Sequence, residues 1–103
     1  MLKFAANPTF KTTVTVPTTD GPQTLKVTFK YMPTDAWDAF VAERVARKAQ
    51  MTDVMAELIE SWEDAEKPCS VESLKELDNV HAAAIDTLFA AYTDARKSGK
   101  LEN

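Results

Sequence analysis

A chain of 103 residues, 45% of them apolar, reads as one domain able to bury roughly two thirds of its unfolded surface. Its net charge of −4 is divided: four Lys against one Asp give +3 over residues 1–32, and eight basic against fifteen acidic side chains give −7 over residues 33–103. The acidic balance argues against a nucleic-acid partner, no apolar run approaches the ~20 residues of a bilayer span, no hydrophobic signal core follows Met1, and one Cys excludes an internal disulfide, so a cytoplasmic protein with no membrane partner is expected.

Phe10 to Val16 alternates, with Phe10, Thr12, Val14 and Val16 on one face and Lys11, Thr13 and Thr15 on the other, which predicts a strand. Residues 17–22 have turn chemistry around Asp20-Gly21, and Thr24 to Tyr31 alternates again with Leu25, Val27, Phe29 and Tyr31 inward, completing a hairpin. Pro33 stops the second strand. Thr34 is the predicted N-cap of a first helix whose stripe is Trp37, Phe40, Val41 and Val45, with Asp35 and Asp38 in its first turns and Gln50 at its end. Thr52-Asp53 offers a second cap before the stripe Met55, Leu58, Ile59 and Trp62. No Gly or Pro lies between Arg44 and Thr52, so two helices or one kinked rod both remain open. Trp62 is expected to close the second helix and clamp it against the last one.

An acidic break follows Trp62, and Ser70 is the predicted cap of a short helix with Leu74 and Leu77 inward. Asp78-Asn79 is the expected break before a last helix carrying Val80, Ala84, Ile85, Leu88, Phe89 and Tyr92, ended by Ser98-Gly99 with Arg96 and Lys97 in the last turn. Arg44, Arg47 and Lys48, like Arg96 and Lys97, stand where cations complement a helix dipole. The predicted class is α+β: an N-terminal two-stranded antiparallel β-hairpin within 1–32, then three or four α-helices within 33–99 and a frayed tail over 100–103, all one domain spanning 1–103. Its predicted core is Phe10, Val27, Phe29, Trp37, Phe40, Leu58, Trp62, Leu74, Leu77, Ile85, Phe89 and Tyr92.

Catalytic chemistry is not legible. Cys69 and His81 are the only soft ligands and cannot close a zinc site, and no Gly-rich loop accompanies them to supply oxyanion donors. His81 is expected in the first turn of the last helix, partly exposed, and Cys69 just before a cap. Glu57, Glu60, Glu63, Asp64 and Glu66 lack the ordered ligand spacing of a calcium loop and read as a solvated acidic face. No catalytic residue, metal or cofactor is therefore expected, and no partner-binding residue can be assigned. A two-stranded hairpin is marginal alone and exposes hydrogen-bonding edges, so packing on the helices or pairing with another copy is expected. The basic hairpin and the acidic helices are complementary for head-to-tail self-association.

Phe4-Ala-Ala-Asn-Pro-Thr-Phe10 opens the hairpin and Val27-Thr-Phe29-Lys30 closes it; then come Leu58-Ile-Glu-Ser-Trp62-Glu-Asp64, Pro68-Cys-Ser70-Val-Glu-Ser-Leu74 and a final helix with Ile85 and Tyr92. In this order and spacing the chain resembles the tail assembly chaperones of long-tailed bacteriophages and prophages over nearly its whole length. It departs from them at Ser61, where relatives tend to carry Gly, and at Asn79-Val80, where they tend to carry Tyr-Pro. The resemblance implies a non-catalytic, self-associating protein of the bacterial host cytoplasm, absent from the mature virion. Its implied partners are the tape measure protein, which it coats, and the tail tube protein, whose assembly it promotes. The alternative is a small structural virion protein, a tail or head-tail joining subunit; an enzyme or small-ligand binder would need a polar pocket around Cys69 and His81.

Overall fold

A computed structural model describes residues 1–98, with the elements β1 (Thr9–Thr18), β2 (Gly21–Lys30), α1 (Thr34–Ala46), α2 (Met51–Leu58), β3 (Ile59–Glu63), α3 (Val71–Val80) and α4 (Ala84–Ser98). The class is α+β with the N-terminal hairpin that the alternation requires. Thr9 pairs with Lys30 and Thr18 with Gly21, so the strands run further than their apolar positions. Only Thr19 and Asp20 lie between them; the Thr18 hydroxyl donates to the Gly21 carbonyl at 2.6 Å, and Gly21 takes the φ of 94° that a side chain would resist. Ser98-Gly99 as a helix stop and the fraying of 100–103 lie outside the described residues.

The sequence reading does not contain β3. It pairs antiparallel with β2, which becomes the centre of a sheet ordered β1-β2-β3. Phe29 faces Ile59 but Thr28 faces Ser61, so Glu60 is an extra residue in a bulge. The bulge sets Ile59 opposite Phe29 and Trp62 opposite Val27, both on the core side although they are three apart, a spacing that a bulge-free strand forbids and a helix favours. The expected stripe Met55-Leu58-Ile59-Trp62 is therefore two elements: α2 ends at Leu58, and Trp62 belongs to the sheet. Trp62 is half-buried and its indole N–H donates to the Lys67 carbonyl at 2.7 Å, so it pins the loop after β3 rather than clamping two helices.

One face of the sheet (Phe10, Val14, Val16, Leu25, Val27, Phe29) packs on Phe40 of α1, Val54, Met55 and Leu58 of α2, Leu74 of α3 and Ala84, Ile85, Leu88, Tyr92 and Ala95 of α4 in a single buried cluster. Trp37, Trp62, Leu77 and Phe89 are half-buried against it. At its centre the Tyr92 ring lies 5.2 Å from Phe29, 5.5 Å from Phe10 and 5.2 Å from Trp37, separations at which aromatic rings attract beyond simple area burial. The Tyr92 hydroxyl donates to the Lys30 carbonyl at 2.8 Å. That bond stitches α4 to the end of β2.

Several boundaries differ from expectation. Pro33, not Thr34, occupies the N-cap position of α1; the Asp35 carboxylate takes the first-turn N–H of Ala36 at 2.8 Å and the Thr34 hydroxyl accepts from Arg96 at 3.3 Å. The first two helices are separate. Arg47 ends α1 and Lys48 takes a φ of 55°, with Lys48 N–H bonded to the Val45 carbonyl and Ala49 N–H to the Arg44 carbonyl, a Schellman end without glycine. Gln50 is thus the N-cap of α2 rather than the end of α1, and Thr52 lies inside α2, buried. Ser70 does cap α3: its hydroxyl accepts from Ser73 N–H at 3.1 Å while the Ser73 hydroxyl accepts from Ser70 N–H at 2.8 Å. Asp78-Asn79 do not break the chain. Val80, unlike proline, keeps an N–H; α3 runs through it, and the break falls at His81, in extended backbone.

Candidate functional site

Exposed apolar side chains are the feature of this surface that folding alone does not explain. Val45, placed in the α1 stripe, is 71% exposed, because the stripe turns past the core after Val41. Alone among the helices, α1 makes no extended close approach of its backbone to another element; side chains hold it. Trp37 stacks on Phe40 at 5.8 Å and meets Phe89 at 6.2 Å. Arg44 crosses to α2, its guanidinium 3.9 Å from the Phe40 ring centroid and forked onto the Glu57 carboxylate at 2.7 and 3.2 Å. That hydrogen-bonded fork holds the Glu57 carboxyl below its usual range and Arg44 above its own.

Between α1, α2 and α4 this arrangement leaves an apolar groove of about 140 Å³, walled by Trp37, Phe40, Val41, Val45, Met51 and Phe89, with Arg44 and Lys48 among its lining residues. A second groove of about 190 Å³ lies at the β3–α3 side, floored by Leu25, Trp62, Leu77 and Val80 with Glu66, Lys67 and Glu76 around it. Lys67 and Glu76 are paired at 2.6 Å. Val80, assigned by sequence to the last helix, stands exposed on α3 beside this groove. His81, expected on α4, is the C-cap of α3; it lines the same groove, and its Nδ1 is buried without a hydrogen-bond partner.

Cys69 does not line either groove, so neither of them joins it to His81. Burial pushes its thiol up to about 11, away from the thiolate that nucleophilic chemistry uses. Among the described residues no group of three or more His, Cys, Asp or Glu side chains could hold a metal ion, and no helix is long and apolar enough to cross a membrane. What the described surface offers is two shallow grooves with apolar walls. The sequence reading assigns Val45 and Val80 to helical stripes and does not assign Met51 at all, yet all three are exposed; only the tertiary position of the helix reveals which end of a stripe lies beyond the core.

Compared with known proteins, a family model described as phage tail assembly chaperone matches residues 1–103. No curated protein and no solved structure matches the chain.

Proposed function

The chain belongs to the phage tail assembly chaperone family, and from this we propose that it coats the tape measure protein in the host cytoplasm, promotes tail tube assembly around it and is absent from the finished virion. The observation that carries the reading is the α1–α2–α4 groove, whose walls Trp37, Phe40, Val41, Met51 and Phe89 suit the apolar face of a helix. An unassembled, elongated helical segment exposes apolar stripes that aggregate unless covered, and a chaperone must release it again. Shallow contacts repeated along the segment meet both needs, since avidity supplies strength without a deep pocket. The role is non-catalytic, and no step of it calls for a cofactor.

Co-expression with the cognate tape measure protein tests the reading. Wild-type chain should keep the tape measure soluble and be recovered with it. Val45→Asp, which alters an exposed position at the groove, should lose the complex while keeping its fold, whereas Lys11→Glu on the outer sheet face should not. If the tape measure stays insoluble beside folded wild-type chain, the structural-subunit reading replaces this one, and mass spectrometry of purified virions would then find the chain in the particle.

A further inference from the structure

We infer that Lys48 is a specificity-determining residue of the α1–α2–α4 groove, and that the helix this groove takes carries a carboxylate beside its apolar stripe. The inference rests on the proposed function and deepens it, from the kind of segment that is held to the residue that selects it.

The backbone supplies the first observation. A φ of 55° at Lys48 is the left-handed conformation that a helix end gives to Gly and sometimes to Asn, so a long side chain there works against the fold. Strain of this kind clusters at binding sites, where the side chain has a use that offsets its cost. Complementing the α1 dipole is not that use: Arg44 stands in the last turn and Arg47 caps it, and the effect falls off beyond that turn.

Charge supplies the second observation. Arg44 and Lys48 are the two charged residues lining the groove. Arg44 is engaged within the chain, 2.8 Å from Glu43 and forked onto Glu57. Lys48 makes no ion pair among the described residues. It stands in sequence between two exposed apolar residues of the same groove, three after Val45 and three before Met51, and its N–H is bonded to the Val45 carbonyl at 3.1 Å. A helix whose apolar stripe seats on Val45 and Met51 therefore brings a residue at the border of that stripe to Lys48. A carboxylate there gains a charge-assisted contact, whereas a Lys or Arg meets a like charge.

The β3–α3 groove has the opposite rim. Glu66 and Glu76 stand there against one cation, Lys67, which Glu76 already holds, so the same acidic helix is turned away from it. The field of the whole chain, with a net charge of −4, also favours a cationic segment over an anionic one. A preference for the anionic segment must then have a local source, and Lys48 is the cation open to supply it.

Two synthetic helical peptides with one identical leucine stripe, flanked in one by Glu and in the other by Lys, provide the test by fluorescence anisotropy at low and high salt. The Glu-flanked peptide is expected to bind the wild type more tightly, with an advantage that shrinks as salt is raised. Lys48→Gly should keep the fold by circular dichroism yet weaken that peptide about two- to fivefold, and Lys48→Glu should reverse the preference. Val45→Asp should weaken the Glu-flanked peptide, and Glu66→Lys in the other groove should leave the effect of Lys48→Glu in place. Equal binding of the two peptides, tighter binding of the Lys-flanked one, or a preference that Lys48→Glu leaves unchanged would each overturn the inference. Recovery of soluble tape measure protein is read separately: success there without a peptide preference removes only the selecting role of Lys48, and a preference without that recovery removes the proposed function and leaves the selectivity of the groove.

Discussion

Lys48 stands where a helix end asks for glycine. Its φ of 55° and the paired bonds from Lys48 and Ala49 back into α1 are those of a Schellman end, a position at which a side chain crowds its own backbone. Lys48→Gly is expected to stabilise the fold by about 0.5–1 kcal/mol, read as a melting-temperature rise of roughly 2–8 °C; no rise would mean that the Lys48 stem packs usefully against the α1–α2–α4 groove. Cys69 and Tyr92 set the behaviour in base. Burial raises the Cys69 thiol from 9.0 to about 11, and burial, outweighing the nearby Arg96 cation, raises the Tyr92 hydroxyl above 10.0. Both groups hold their protons more tightly folded than unfolded, so their stabilisation is complete below the unfolded values and is lost as pH climbs through the folded ones. Urea midpoints should therefore fall from pH 9 upward, and Cys69→Ala should remove the part of that fall below pH 10 and reduce the part above it, where Tyr92 also contributes. A flat profile in both proteins contradicts this account of their environments.

Among the elements, legibility followed how far each local signal agreed with its tertiary setting. The hairpin alternates on a two-residue period and has one buried face, so Phe10, Val14, Leu25, Val27 and Phe29 could be assigned inward without knowing what covers them. Ser70 carried its cap in four residues. β3 was not legible because its bulge converts two inward positions from a spacing of two to three, continuing the helical rhythm of Met55 and Leu58. The end of α1 was hidden for a related reason: residues 47–50 hold no Gly or Pro, and the reversal is made by a lysine. α1 itself follows from sequence, but its loose attachment does not, since that depends on side chains reaching across from α2 and α4. Hydrogen exchange should find α1 opening before the sheet and α4, because the opening of an element tracks how little buried contact it must break. The Arg44 fork depresses the Glu57 carboxyl, so its stabilisation of α1 is present above the unfolded value near 4.5 and is lost as pH falls through the lower folded one. Exchange from α1 should therefore accelerate below pH 4.5 relative to α4, and Glu57→Gln should bring that acceleration to neutral pH; α1 protected as long as α4 in both would mean it belongs to the core.

For the whole molecule, the candidate site was the least legible part, because a shallow apolar surface has no motif: the residues that make it are the ones every helix needs. Family resemblance told what kind of partner to expect, and the fold told which side chains remain for it. Val45 and Met51 lie exposed at the α1–α2–α4 groove, so under the proposed function every copy set on a tape measure segment presents one such groove to it. On that reading an extended helical segment takes one groove per stretch of helix, each contact weak and the sum strong. Stoichiometry should then rise in proportion to segment length when tape measure fragments of increasing length are mixed with excess chain and weighed by light scattering. A fixed stoichiometry over all fragment lengths would mean that one chain recognises one local feature of the tape measure protein, and repetition of the groove would have no part in the binding.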